Sequence, residues 1–73
     1  MEQEITAPLA GTVLKVLIEV GAQVEEDDDA LLIEALKMET AIYAPCTGTV
    51  KEVRVKPGDK VEEDDVLAIL VAE

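Results

Sequence analysis

Ala7-Pro8-Leu9-Ala10-Gly11-Thr12-Val13 returns 37 residues later as Ala44-Pro45-Cys46-Thr47-Gly48-Thr49-Val50. The match runs without a gap from residues 7–35 onto 44–72, with 13 of 29 positions identical. Val16 answers to Val53, Gly21 to Gly58, and Val24-Glu25-Glu26-Asp27-Asp28 to Val61-Glu62-Glu63-Asp64-Asp65. Two copies are too few for a solenoid, which needs three or more stacked repeats to bury its faces. The expectation is two similar halves about a pseudo-two-fold axis, each burying the other's apolar face. The apolar residues are almost all Val, Leu, Ile and Ala, with one Tyr and no Phe or Trp. Short branched runs punctuated by Gly, Pro and Asp read as strands, so the expected fold is all-β, a sandwich or flattened barrel.

Working outward from the repeat, residues 2–7 form a first strand, closed by Pro8, which has no N–H to give a ladder. Residues 11–20 read as a long second strand stopped near Gly21, followed by a brief extended piece around Val24 and an acidic turn at 25–29. Residues 30–35 form a buried strand, Leu36-Lys37-Met38 a tight turn, and 39–44 the returning strand. The second copy gives strands at 48–56, around Val61, and at 67–72. Val13, Val16 and Ile18 break strict alternation, and Val50, Val53 and Val55 break it identically, which predicts a β-bulge in each long strand. Val13, Val16, Val50 and Val53 should face the shared interior. Adding 37 to Lys37 leads one position past Glu73. The Lys37 turn therefore corresponds to the chain ends, and Lys37 is expected at one pole with both termini at the other.

Composition narrows the function. Seventy-three residues make one domain, 1–73. A net charge of −11 repels nucleic-acid phosphates and anionic lipid. With no histidine, one cysteine and no Gly-rich phosphate loop, the chain is poorly equipped for catalysis, and no catalytic residue is assigned. It reads as a protein that enzymes act upon. The longest apolar run, 66–72, falls far short of the ~20 residues a membrane-spanning helix needs, and the acidic start is unlike a signal peptide. A cytoplasmic protein without membrane insertion is expected. Cys46 has no second cysteine to pair with and stands where the first copy has Leu9, a packing position. The acidic runs lack the ligand spacing of a calcium loop, so no metal site is assigned; within them Asp27 and Asp64 suit a left-handed backbone. The glycines recur with the repeat and read as turn or bulge positions, and Tyr43 as a cover for one sheet near the hairpin. Lys15, Lys51, Lys56 and Lys60 read as solvated charges.

Lys37 differs from them by its flanks, Glu34-Ala35-Leu36-Lys37-Met38-Glu39. Here the chain resembles the biotinyl/lipoyl carrier family, whose biotinylated members carry a motif like E-A-M-K-M-E. Glu34, Ala35, Lys37, Met38 and Glu39 match it, and Leu36 replaces a Met. The Ala-Pro-x-x-Gly-x-Val stretches and the Val-Glu-x-x-Asp turns extend the resemblance over essentially the whole chain. It implies two four-stranded antiparallel sheets with the lysine on an exposed hairpin tip. It also implies biotin joined by a biotin protein ligase to the amine of Lys37, with a carboxyl group carried between a biotin carboxylase and a carboxyltransferase or decarboxylase. Lipoylated relatives usually place an acidic residue before the lysine and a small one after it; Leu36 and Met38 favour biotin. A lipoyl carrier, or an unmodified interaction module of the same fold, stands as the alternative.

Overall fold

A computed structural model describes residues 1–72. Among these described residues, eight strands lie in two four-stranded sheets. They are β1 (Glu2–Thr6), β2 (Gly11–Val16), β3 (Gln23–Val24), β4 (Asp29–Ala35), β5 (Met38–Tyr43), β6 (Gly48–Val53), β7 (Lys60–Val61) and β8 (Val66–Ala72). The first sheet has the order β1-β8-β6-β3, the second β5-β4-β2-β7, with every pairing antiparallel. This is the all-β, two-sheet fold that the sequence led us to expect.

The 37-residue offset carries one sheet onto the other. It takes β1, β2, β3 and β4 onto β5, β6, β7 and β8, and so the first sheet order onto the second. Backbone bonds outside the ladders repeat in the same way. Leu17 N–H donates to Ala30 O at 2.9 Å as Arg54 does to Leu67 at 2.8 Å, and Gly21 to Val50 at 2.9 Å as Gly58 to Val13 at 2.8 Å. The halves do not simply face each other, however. Each sheet takes two strands from each half, because the chain changes sheet at every connection except the β4–β5 hairpin.

The crossings after β2 and β6 shorten the two long strands. Strand β2 ends at Val16 rather than at 20, and β6 at Val53 rather than at 56. Apolar spacing continues past both points, through Leu17, Ile18 and Val20, but it serves the crossing segment, whose Ile18 is buried. Gly21 and Gly58 turn the chain with φ of 91° and 95°, a region that costs a side chain energy. The register shifts between Val13 and Lys15 and between Val50 and Glu52, so both predicted bulges are present. Val13 and Val50 are 1% exposed, packed with Ile5, Leu31, Ile33, Leu67 and Leu70 between the sheets. Val16 and Val53 are only half-buried, at the margin of that core.

Met1 and Ala72 are held together where the repeat expects them. Ala72 N–H donates to Met1 O at 2.7 Å, the counterpart of the Ala35–Met38 pair that closes the Lys37 hairpin. Ala72 pairs with Gly48, and the adjoining Thr47 accepts from Glu26 N–H at 3.2 Å. Glu26 lies in the turn entering β4, whose far end is the hairpin. Met1 and Ala72 thus lie at the end of the molecule opposite Lys37. Tyr43 does not sit near the hairpin: it ends β5 at the far side, opposite Asp29, and is exposed.

Candidate functional site

Strands β4 and β5 pair from Asp29↔Tyr43 to Ala35↔Met38, which leaves Leu36 and Lys37 as a two-residue loop. Both have positive φ, 53° and 64°. Two successive left-handed residues make a type I′ turn, whose twist matches that of paired strands. Such turns normally hold Asn-Gly or Asp-Gly, because a left-handed backbone costs an ordinary L-residue about 1–2 kcal/mol. Leu36 and Lys37 have no such exemption. The place of the turn was legible from the residues, but nothing in them marked its type. The ladder of β4 and β5, running back into the core through Ile33, Leu31 and Ile42, holds this local strain.

The tip is well presented. Leu36 is 88% and Met38 69% exposed, and Lys37 is exposed between them. Among the described residues Lys37 has no ion-pair partner. Ala35 turns inward and is buried, anchoring the stem. Beneath the tip, Glu34 and Glu39 are exposed and directly opposite each other across the ladder. Like charges so placed repel, and that facing arrangement follows only once the turn length is known. Thr12 and then Lys60 continue the same row onto β2 and β7. Of the six residues singled out from the sequence, the structure brings all to the hairpin, five toward solvent and one into the core.

Gly11 is a supporting residue whose local role sequence reasoning missed. A Cβ there would stand 2.5 Å from the carbonyl oxygen of Glu34, so β2 lies tightly against the hairpin stem. Its counterpart Gly48 would meet Val71 O at 2.2 Å. The recurrence of glycine at both positions was the available signal; close approach, not turning, is the reason for it.

Aspartates of the two acidic runs serve the turns. Asp27 and Asp64 hold φ of 72° and 70°, and Asp28 and Asp65 accept from the N–H groups of Glu25 at 2.9 Å and Glu62 at 2.8 Å. Lys51 is ion-paired with Glu2 rather than merely solvated. Its hydrogen bond and charge hold the Glu2 carboxyl below the usual carboxylate range and raise the Lys51 ammonium in turn. Cys46 is half-buried against the core, as a packing residue. A cleft of about 490 Å³, lined by Arg54, Asp59, Lys60 and Asp65 among others, includes none of the hairpin residues. An exposed primary amine on a short, firmly paired hairpin fits acylation by a carboxylic acid. Among the described residues, no helix is long and apolar enough to cross a membrane.

A family model described as "Biotin-requiring enzyme" matches residues 1–70. The chain is 54% identical over 39 residues to the methylmalonyl-CoA carboxyltransferase 1.3S subunit of Propionibacterium freudenreichii subsp. shermanii, covering 53% of this chain and 32% of that one. It is 52% identical over 33 residues to the biotin carboxyl carrier protein of Streptococcus mutans, covering 45% and 25%. The crystal structure of Kluyveromyces lactis urea carboxylase matches with a TM-score of 0.91 and 32% identity, over 97% of this chain and 6% of that chain. In each case the match spans a third or less of the relative's length.

Proposed function

The chain belongs to the biotin/lipoyl family of biotin-requiring enzymes, and on that premise we propose that Lys37 carries biotin as an amide on its Nζ. The observation that carries this reading is the hairpin itself, an exposed lysine in a type I′ loop flanked by exposed Leu36 and Met38. The domain is a biotin carrier without catalysis of its own; its flanks Glu34, Ala35, Leu36, Met38 and Glu39 are what a biotin protein ligase would read. In the ligation step, Lys37 Nζ would add its lone pair to the biotin carboxyl carbon that the ligase has activated; the activating group leaves with the electron pair of the broken C–O bond, and the nitrogen gives up a proton as the amide forms. Once bound, biotin supplies a ring that takes up and releases a carboxyl group.

The protein's own contribution is placement. Ala35 in the core and the β4–β5 ladder fix the base of the arm, while Leu36 and Met38 leave Lys37 unobstructed. A long lysine stem on a rigid base turns bimolecular encounter into a tethered search between sites. The sites in this reading belong to a biotin carboxylase and to a carboxyltransferase or decarboxylase. The similarity to carboxyltransferase and carboxylase proteins supports those partners. Residues 1–73 act as a single carrier domain. A cytoplasmic setting accords with a single cysteine and an acidic chain.

The test is co-expression with a biotin protein ligase followed by streptavidin blotting. Wild type should be labelled, and Lys37→Arg should not, since a guanidinium is a poor nucleophile at neutral pH. Labelling of Lys37→Arg at the wild-type level would place the attachment elsewhere. A Gly inserted between Leu36 and Lys37 should also cut labelling, because it breaks the two-residue loop.

A further inference from the structure

The pseudo-two-fold axis supplies an internal control, since each outward position on one sheet has a counterpart on the other with the same backbone surroundings. On the outer face of β1-β8-β6, the flanking positions are Glu4, Thr6, Lys51 and Arg54. Their counterparts on β5-β4-β2 are Ala41, Tyr43, Leu14 and Leu17. Four polar positions on one sheet are thus four apolar positions on the other, while Glu52 and Lys15 keep a charge on both and exposed Val71 answers to Glu34 in the opposite sense. The first face neutralises itself, through Lys51 with Glu2 and Arg54 with Glu52. The second has no ion pair of its own among the described residues, and leaves Tyr43 54% and Leu17 49% exposed around half-buried Leu32. Folding alone does not require that difference, because the sister sheet folds with charges in the same places.

We infer that the outer face of β5-β4-β2 is a docking surface for a protein with an apolar centre ringed by lysine and arginine, namely the enzyme that receives the Lys37 arm. Charge decides between occupants. The face carries Glu34 and Glu39 at its hairpin end and Asp29 beside Tyr43 at the other, three carboxylates against the single lysine Lys15 opposite Leu32, on a chain of net charge −11. A second copy would bring the same charge and the same carboxylates, and repel; a basic surface would be drawn in and steered. The face is also continuous with the tip, since β4 and β5 end in Leu36 and Lys37, so a partner resting on it lies beside the amine. Three strands ~4.8 Å apart and about five residues long present on the order of 250 Å², far below the ~800 Å² per partner of a stable complex. Contact of that size is transient, as a carrier moving between sites requires. The enzyme's identity rests on the carrier reading above.

The experiment uses the unmodified chain, so it stands apart from whether Lys37 is biotinylated, which intact mass reads separately. Isotope-labelled protein is titrated with the purified biotin carboxylase component of a biotin-dependent carboxylase while amide shifts are followed by NMR. Shifts should map to β2, β4 and β5 and spare β1, β6 and β8, and the affinity should fall as salt is raised. Leu17→Arg with Tyr43→Thr installs residues that the sister sheet already carries at these positions, so the fold should hold. It should weaken binding by about tenfold, about 1.4 kcal/mol, while Glu4→Ala with Arg54→Ala leaves it unchanged. Shifts on the other sheet, no shifts at all, wild-type binding by the Leu17/Tyr43 variant, or a dimer through this face in sedimentation would each overturn the inference.

Discussion

Replacing Leu36 by Asn should make the domain more stable and a poorer ligase substrate at once. The backbone at Leu36 is left-handed, φ 53°, a conformation that costs an ordinary side chain about 1–2 kcal/mol and that Asn adopts with much less strain. Leu36 is already 88% exposed, so the burial it gives up is worth only about 0.3 kcal/mol at ~25 cal/mol per Å². The net gain is about 0.5–1 kcal/mol, which for a domain of this size raises Tm by roughly 2–8 °C. Leu36→Val is the matched control: it too stays apolar and exposed, but a β-branched residue is especially ill-suited to this backbone, so its Tm should fall below wild type. Calorimetric melts of the three proteins, with urea titrations for ΔG, measure the order. If Asn and Val shift Tm equally, or Asn lowers it, the strained type I′ loop is not what the hairpin stores. Ligation of the Asn variant should slow despite its firmer fold, since the exposed leucine is then absent from the surface the ligase meets.

Val13→Ala and Val50→Ala should each cost about 1–3 kcal/mol in urea denaturation, and by similar amounts, because the two side chains are symmetry counterparts in one core. Gly48→Ala should destabilise more than Gly21→Ala, since a Cβ at 48 would press on Val71 O at 2.2 Å whereas one at 21 meets open space and bears only the cost of its φ. Lys51→Ala should lower Tm slightly near neutral pH, and the difference from wild type should vanish on both sides. Glu2, held low in the folded state, loses its contribution as acid protonates it, and Lys51, held high, loses its own as alkali deprotonates it. High salt should erase the same difference, both groups being exposed.

Much of this was legible because the repeat fixes geometry twice. Pro8 and Pro45, Asp27 and Asp64, and Gly21 and Gly58 mark equivalent turns, and the common phase slip after Val13 and Val50 revealed both bulges. The strand ends were not legible, since Leu17, Ile18 and Val20 continue an apolar pattern while the backbone leaves its sheet for the other one. Nor was the exchange of strands between halves, which depends on where Gly21 and Gly58 send the chain rather than on which residues are apolar. A third feature, the further pair of register shifts between Asp29 and Leu31 and between Val66 and Ala68, left no trace in the apolar runs around them. At the site, Lys37 and its flanks stood out by their residue types. The left-handed loop and the opposition of Glu34 to Glu39 did not, because both are set by the pairing of β4 with β5 against local preference.

In the carrier function proposed above, one lysine carries one biotin. Tandem mass spectrometry of the protein isolated from its own cells, after cleavage into peptides, tests it most directly. A biotinyl adduct is expected on the peptide containing Lys37, with fragment ions that assign it to that residue and leave Lys15, Lys51, Lys56 and Lys60 unmodified. A lipoyl adduct at Lys37, a biotin on any other lysine, or an unmodified chain from biotin-replete cells would contradict it.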